Sequence, residues 1–290
     1  MARNDREGRS AMIAPLLSID QVRVSFPGKG LRAPRNEVLR GVSLDIRRGE
    51  TLGLVGESGS GKTTIGRAVL GLVPIDAGTI TFEGTRIDTA RRRRRRELSR
   101  DIQVVFQDPY TSLNPALTIG DTLAEPLIAQ GVSGARARVR VVELLDRVKL
   151  PSSATGRLPR EFSGGQRQRI AIARALALAP KLIVCDEPVS ALDLTTQSRV
   201  LELLTEIQED TGVSYLFISH DLTVVRHMSH RVAVIYRGEI VEHGDTVEVT
   251  ENPQNDYTRK LLLAAPVVDP ARQRARREAF DQTFRREATA

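Results

Sequence analysis

One cysteine, Cys185, occurs among 290 residues, so no intrachain disulfide can form, and no CxxC pair is present to hold zinc or an iron–sulfur cluster. A reducing cytosolic setting fits that usage. Cys185 lies in an apolar run directly before two acids, where it reads as a small core residue rather than a reactive thiol. Long hydrophobic runs are missing too. The longest apolar region, 171–185, is broken by Arg174, Pro180 and Lys181, so nothing in it spans a bilayer. Residues 1–15 carry several charges and no apolar stretch of signal-peptide length, and they are expected to form a flexible N-terminus. Any membrane role must therefore come through a partner that supplies the spanning helices. No internal repeat is visible.

What is present is ample apolar residue content, 40%, enough to bury the core of one large α/β domain with a smaller lobe. Forty-three Lys and Arg against 36 Asp and Glu give a formal charge of +7. Such a balance fits nucleic acid or an anionic membrane surface, but much of the excess lies in 91–96 and 272–286, and solvated surface charge is the plainer reading of both.

Period-two alternation over 17–26 and 42–46 predicts antiparallel entry strands. Residues 50–55 then run apolar into Gly56, and 63–73 has helical spacing before Pro74. Short strands are expected at 79–82 and 102–106, with the arginine run between them. From 119 to 150 the apolar residues keep helical spacing, with Gly131 and Gly134 as a break, which reads as an inserted helical lobe. A helix over 166–178, strand 181–185, helix 195–209 and strands 214–218 and 232–236 alternate as units of a parallel sheet should. A hairpin at 238–242 and a helix over 256–263 close the pattern. Residues 269–290 form a polar, charged tail, helical or partly disordered.

Gly56-Glu57-Ser58-Gly59-Ser60-Gly61-Lys62-Thr63 matches G-x-x-x-x-G-K-[ST] between a predicted strand and a predicted helix, the context that pattern requires. The glycines let successive backbone N–H groups converge on a phosphate. The helix N-terminus adds partial positive charge, Lys62 reaches the terminal phosphates, and the Thr63 hydroxyl can hold Mg²⁺. Strand 181–185 leads into Asp186 and Glu187, two carboxylates that would repel each other without a cation nearby. Asp186 is assigned to the metal and Glu187 to polarising an attacking water. Gln107, just past a buried strand, can touch both metal and water. His220 ends another strand, where its imidazole can reach a γ-phosphate or simply be structural. His227 and His230, three apart on an expected helix, lack a third ligand and are read as non-metal residues.

A second cluster, Ser163-Gly164-Gly165-Gln166, opens a helix and offers backbone N–H groups, a hydroxyl and a helix dipole to another anion. One mononucleotide needs only one cradle. The helical lobe would hold this cluster away from the first, so the economical solution is a head-to-tail dimer in which each chain completes its partner's site.

In this order the motifs resemble the ATP-binding subunit of an ATP-binding-cassette transporter, from about residue 16 to 266. The resemblance implies an α/β P-loop NTPase fold with a RecA-like core, an antiparallel β subdomain and an inserted α-helical subdomain at about 108–175, within a cassette of 16–250. It implies ATP and Mg²⁺ as cofactors. By resemblance, residues 56–64, ending in Thr64, are the Walker A loop, Gln107 the Q-loop and Ser163 to Gln166 the signature. Asp186 and Glu187 are the Walker B pair, Asp193 belongs to the D-loop and His220 is the switch histidine. Phe26 falls where the family stacks an aromatic ring on adenine, although a strand-end Phe is also an ordinary core residue.

Two stretches resemble the oligopeptide and dipeptide branch, residues 106–115 and the segment 251–268, which contains Asn252-Pro253-Gln254-Asn255-Asp256-Tyr257-Thr258, and residues 50–72 resemble the second of the two ATPase subunits such importers pair. The branch often has His-Pro where this chain has Asn255-Asp256, and a cysteine-bearing C-terminal extension is absent. The resemblance implies a peripheral protein at the cytoplasmic face of the cell membrane that powers peptide import. Its partners would be a second ATP-binding subunit (a paralogue or itself), two polytopic permease subunits and an extracytoplasmic solute-binding protein. Relatives in the branch also move nickel complexes and sugars, and exporter ATPases share the motifs. Nucleic acid is not expected, because cassette proteins acting there carry two cassettes or a long coiled-coil insertion.

Overall fold

Alternating burial makes an antiparallel pair of Leu17–Phe26 (β1) and Asn36–Ile46 (β2), and the computed structural model, which describes residues 14–28, 30, 34–108 and 112–264, extends it into a sheet. Ala77–Phe82 (β4) and Thr85–Arg86 (β5) complete the order β2-β1-β4-β5. A second sheet contains Thr51–Val55 (β3), Ile102–Val105 (β6), Leu182–Asp186 (β7), Ser214–Ser219 (β8), Arg231–Tyr236 (β9) and Glu239–Asp245 (β10). Its order is β10-β9-β3-β8-β7-β6, parallel throughout except for β10, which returns antiparallel through the hairpin turn at Arg237 and Gly238.

Successive side chains of a strand face opposite sides, and here the two sides join different cores. Leu182 and Val184 of β7 pack with Leu52, Leu54, Ile218 and the apolar side of the antiparallel sheet. Ile183 and Cys185 pack with Tyr215, Phe217 and the helical lobe. That double burial explains why β3, β7 and β8 read as near-continuous apolar runs. Tyr215 is fully buried, and its hydroxyl donates to Leu204 O at 3.1 Å.

The helices are Lys62–Val69 (α1), Arg92–Asp101 (α2), Ile119–Ala129 (α3), Gly134–Arg147 (α4), Gly164–Leu176 (α5), Leu194–Thr211 (α6), Leu222–Met228 (α7), Thr246–Glu251 (α8) and Asp256–Ala264 (α9). Three differ from expectation. Helix α1 stops at Val69, not Val73, because Gly71 turns left-handed (φ 69°) and the Gly71 and Leu72 N–H groups fold back onto Ala68 O and Arg67 O. The arginine run forms the first half of α2. Arginine is a good helix former, Leu98 anchors the inner face, and Arg96 reaches across to Ala129 O at the end of α3. His230 lies beyond α7, since Ser229 is extended; its Nδ1 accepts the Thr51 N–H at 3.1 Å.

Residues 1–13, 29, 31–33, 109–111 and 265–290 lie outside the described residues. The expected flexible N-terminus up to residue 13, residues 109–111 of the stretch 106–115, the end of the segment 251–268 and the charged tail fall there.

On α5, Gln168 is fully buried with neither its amide nitrogen nor its amide oxygen partnered. A buried polar group without partners costs stability, whereas an apolar group of similar shape does not. Gln168→Met is expected to raise the melting temperature by roughly 2–4 °C. A thermal melt checks it, and a lower transition would mean that the amide is satisfied in solution.

Candidate functional site

The five parallel strands end on one edge, and the sequence-expected residues leave from those ends, where ligands bind in open α/β sheets. From β3 the chain enters the glycine loop and α1. Gly61 takes φ 111°, a conformation that favours glycine, and an added Cβ would lie 2.8 Å from Leu39 Cδ2. Lys62 is 4% exposed and curls back over the loop, its Nζ donating to Gly56 O at 2.7 Å and Glu57 O at 2.8 Å. Burial lowers the Lys62 pKa from the usual lysine value, against the opposing pull of Glu187, Asp186 and Glu57. Ser58, Gly59, Gly61, Lys62, Thr63 and Thr64 line an open cavity of about 400 Å³ with Glu187 and Val38.

β7 delivers the acids to that cavity. The Thr63 hydroxyl donates to Asp186 Oδ1 at 3.1 Å, which puts two hard oxygen donors side by side at the mouth of the loop. Burial, and then the neighbouring Glu187, raise the Asp186 pKa above the usual carboxylate value despite that hydrogen bond. A carboxylate destabilised in this way gains from an added cation. Among the described residues no group of three or more His, Cys, Asp or Glu could hold a metal alone. The donor pair thus fits an ion that brings most of its ligands with it, as Mg²⁺ does on nucleotide phosphates.

Glu187 is left-handed at φ 51°, and its N–H donates to Ile218 O at 2.9 Å. That bond ties the turn after β7 to β8. His220, past the end of β8 and largely exposed, places Nδ1 at 3.1 Å from Glu187 Oε2. The two residues are 33 apart in sequence and meet because Asp186 is in register with Ile218.

Ser163, Gly164, Gly165 and Gln166 are not among the residues lining the cavity. Ser163 caps α5 in a reciprocal capping box: its Oγ accepts the Gln166 N–H at 3.3 Å, and its own N–H donates to Gln166 Oε1 at 3.0 Å. Asp193 caps α6, its carboxylate accepting from the Thr196 N–H and hydroxyl, and these bonds hold its pKa below the usual range. The two helix starts adjoin. A Cβ at Gly165 would fall 2.2 Å from Thr196 Cγ2, so the signature-like turn packs against the cap that Asp193 makes.

Gln107, two residues past β6, is exposed and stands outside the cavity lining, and so does Phe26, 38% exposed at the end of β1. Sequence reasoning missed the residues that brace the loop from behind. Gly238 in the β9–β10 turn donates its N–H to Ser60 O at 3.0 Å, and Glu57 donates its N–H to the Tyr257 hydroxyl at 3.0 Å. Tyr257 is 200 residues from Glu57. No local pattern signals that pairing.

With this geometry in place, the chain matches the ABC transporter family over residues 39–190, more than half of its length. It is 53% identical over 268 residues to the glutathione import ATP-binding protein GsiA of Escherichia coli (strain K12) and to that of Shigella flexneri, covering 91% of this chain. The chain spans 43% of the length of those relatives. Among solved structures, cbiO1 from Clostridium perfringens, part of an ABC transporter complex, superposes with a TM-score of 0.73 at 26% identity, over 82% of this chain and 91% of that one. The ATP-binding cassette MJ0796, a dimer in a post-hydrolysis state bound to ADP and Pi, gives 0.71 at 30% identity, over 79% of this chain and 98% of that one.

Proposed function

The chain belongs to the ABC transporter family, and from that premise we propose that it binds and hydrolyses ATP to drive import of di- or oligopeptides. The observation that carries the reading is the convergence of Lys62, the Thr63–Asp186 pair and the Glu187–His220 pair at the mouth of one loop. Phosphoryl transfer demands positioning and charge stabilisation more than covalent chemistry from the protein, and these groups supply both. Lys62 exchanges the carbonyls of Gly56 and Glu57 for phosphate oxygens. Glu187 accepts the proton of the attacking water, and His220 orients its carboxylate. Thr63 and Asp186 would hold Mg²⁺, which when bound neutralises charge on the phosphates. Gln107 senses metal and water, and Phe26 stacks on the base.

The second cluster faces another chain's nucleotide in this reading, with Asp193 beside it. The dimeric state of MJ0796 supports that arrangement. No helix among the described residues is long and apolar enough to cross a membrane; in this reading two polytopic permeases supply the spanning helices, with the chain peripheral at their cytoplasmic side. An extracytoplasmic binding protein supplies the solute. The cassette is 16–250 with its helical lobe at about 108–175, followed by the segment 251–268 and a charged tail. Peptide as solute class rests on the likeness to glutathione import proteins, glutathione being itself a tripeptide. Reconstitution of the co-purified complex tests the reading: ATP-dependent accumulation of a labelled di- or tripeptide is expected. Accumulation of a sugar or nickel complex instead, or movement outward, would overturn it.

A further inference from the structure

The peptide unit between Gly56 and Glu57 is held from both ends. Its carbonyl, Gly56 O, accepts from Lys62 Nζ at 2.7 Å, and its N–H, on Glu57, donates to the Tyr257 hydroxyl at 3.0 Å. A trans peptide is planar and points its C=O and N–H in opposite directions, so fixing the N–H fixes where the carbonyl meets Lys62. Hydrogen bonds through one amide also polarise one another. Gly56 is buried, whereas Glu57 belongs to the exposed part of the loop.

Tyr257 is well placed to act as an anchor. It sits in the first turn of α9, its ring lies 4.2 Å from that of Tyr236, and Arg237 lies over the Tyr236 ring. The approach to α9 is pinned by Glu242, whose carboxylate accepts the N–H groups of Gln254 and Asn255, and by Asn255 Oδ1, which accepts the Tyr257 N–H at 2.9 Å. Tyr257 and Leu261 pack against the core under the helical lobe. The hydroxyl therefore arrives at the loop from a rigid base formed by the C-terminal segment.

We propose that Tyr257 is a positioning residue for Lys62: by holding the Gly56–Glu57 peptide, the C-terminal segment tunes how readily the lysine turns to nucleotide phosphate. The inference rests on the nucleotide-site reading above. Any partner that shifts α9 would move the loop through this one hydroxyl, a route from the end of the chain to the phosphate cradle.

The test uses the full chain, a fluorescent ATP analogue with Mg²⁺, and steady-state hydrolysis. Tyr257→Phe keeps the ring and its packing but removes the acceptor. It is expected to lower the dissociation constant and KM for ATP about five- to tenfold, because the carbonyl that Lys62 must leave is no longer held and polarised toward it, with kcat within about twofold and an unchanged melting temperature; a rise in KM would overturn the inference. Leu261→Ala, which loosens the packing of α9 but keeps the hydroxyl, is expected to lower the melting temperature and to shift KM in the same direction by clearly less. Equal KM in Tyr257→Phe and the unaltered chain would overturn the inference, and so would equal shifts in both variants, which would mark α9 as structural support alone. Lys62→Ala separates the two levels. If it still binds the analogue with unaltered affinity, the nucleotide-site reading itself fails, whatever Tyr257→Phe does.

Discussion

Glu187→Gln is expected to bind ATP as tightly as the unaltered chain and to hydrolyse it at least about a hundredfold more slowly, the usual scale for loss of a general base. The substitution is close to isosteric. Its backbone stays tied to Ile218 O at 2.9 Å, and the amide oxygen can still face His220 Nδ1, so the turn after β7 need not move. What disappears is a carboxylate able to accept a proton. Lys62, Thr63 and Asp186, which meet the nucleotide in the proposed mechanism, are untouched, and binding should therefore survive. His220→Ala is a useful contrast, because it leaves the base present but unoriented and should cost less than Glu187→Gln. Equilibrium binding beside single-turnover hydrolysis separates these effects. Full turnover in Glu187→Gln would remove the proposed base, and loss of binding would mean that the side chain serves the nucleotide and not the water.

That prediction depends on two residues 33 positions apart, and it illustrates what the sequence could and could not disclose. Glu187 and His220 each announce themselves one residue past the end of an apolar run, after Asp186 and Ser219, because strands buried on both faces are apolar along their length and polar residues begin at the sheet edge. The register that makes them partners, Asp186 opposite Ile218, is a long-range fact no local window contains. Glycine loop and signature were legible for a similar reason: backbone geometry there restricts residue type, so the requirement is written in the residues themselves.

The arginine run fails this test. Six like charges in a row hide helical periodicity, and Leu98 is the one buried residue of α2, so the helix is held by Leu98 in the core beside β6 and by the reach of Arg96 to Ala129 O more than by any stripe. Tyr257 fails it differently. Its hydroxyl acts by landing beside Glu57, and an exposed loop amide places no demand on what stands 200 residues away.

Mixing two inactive variants is expected to restore about one quarter of the unaltered activity if the chain pairs with itself, since half the dimers are mixed and each holds one intact composite site of two. The variants are Lys62→Ala, which loses its own phosphate grip, and Gly164→Asp. In Gly164→Asp the new carboxylate lies in the first turn of α5, where negative charge favours the helix dipole and the fold should hold. Toward a partner's γ-phosphate the same carboxylate is repulsive, and hydrolysis should fall at least about a hundredfold while ATP binding at Lys62 persists. Alone, each variant spoils both composite sites of a homodimer. In the mixed dimer, one site joins the intact Lys62 of the Gly164→Asp chain to the intact Ser163–Gln166 turn of the Lys62→Ala chain. Recovery on mixing would place the signature turn opposite the partner's loop. No recovery with neither variant dimeric would point to pairing with a paralogue, which should then restore activity when it supplies the missing half, whereas no recovery in dimers would defeat the composite site. Loss of ATP binding in Gly164→Asp itself would defeat the arrangement altogether, because it would put Gly164 at the chain's own cavity, whose lining excludes it.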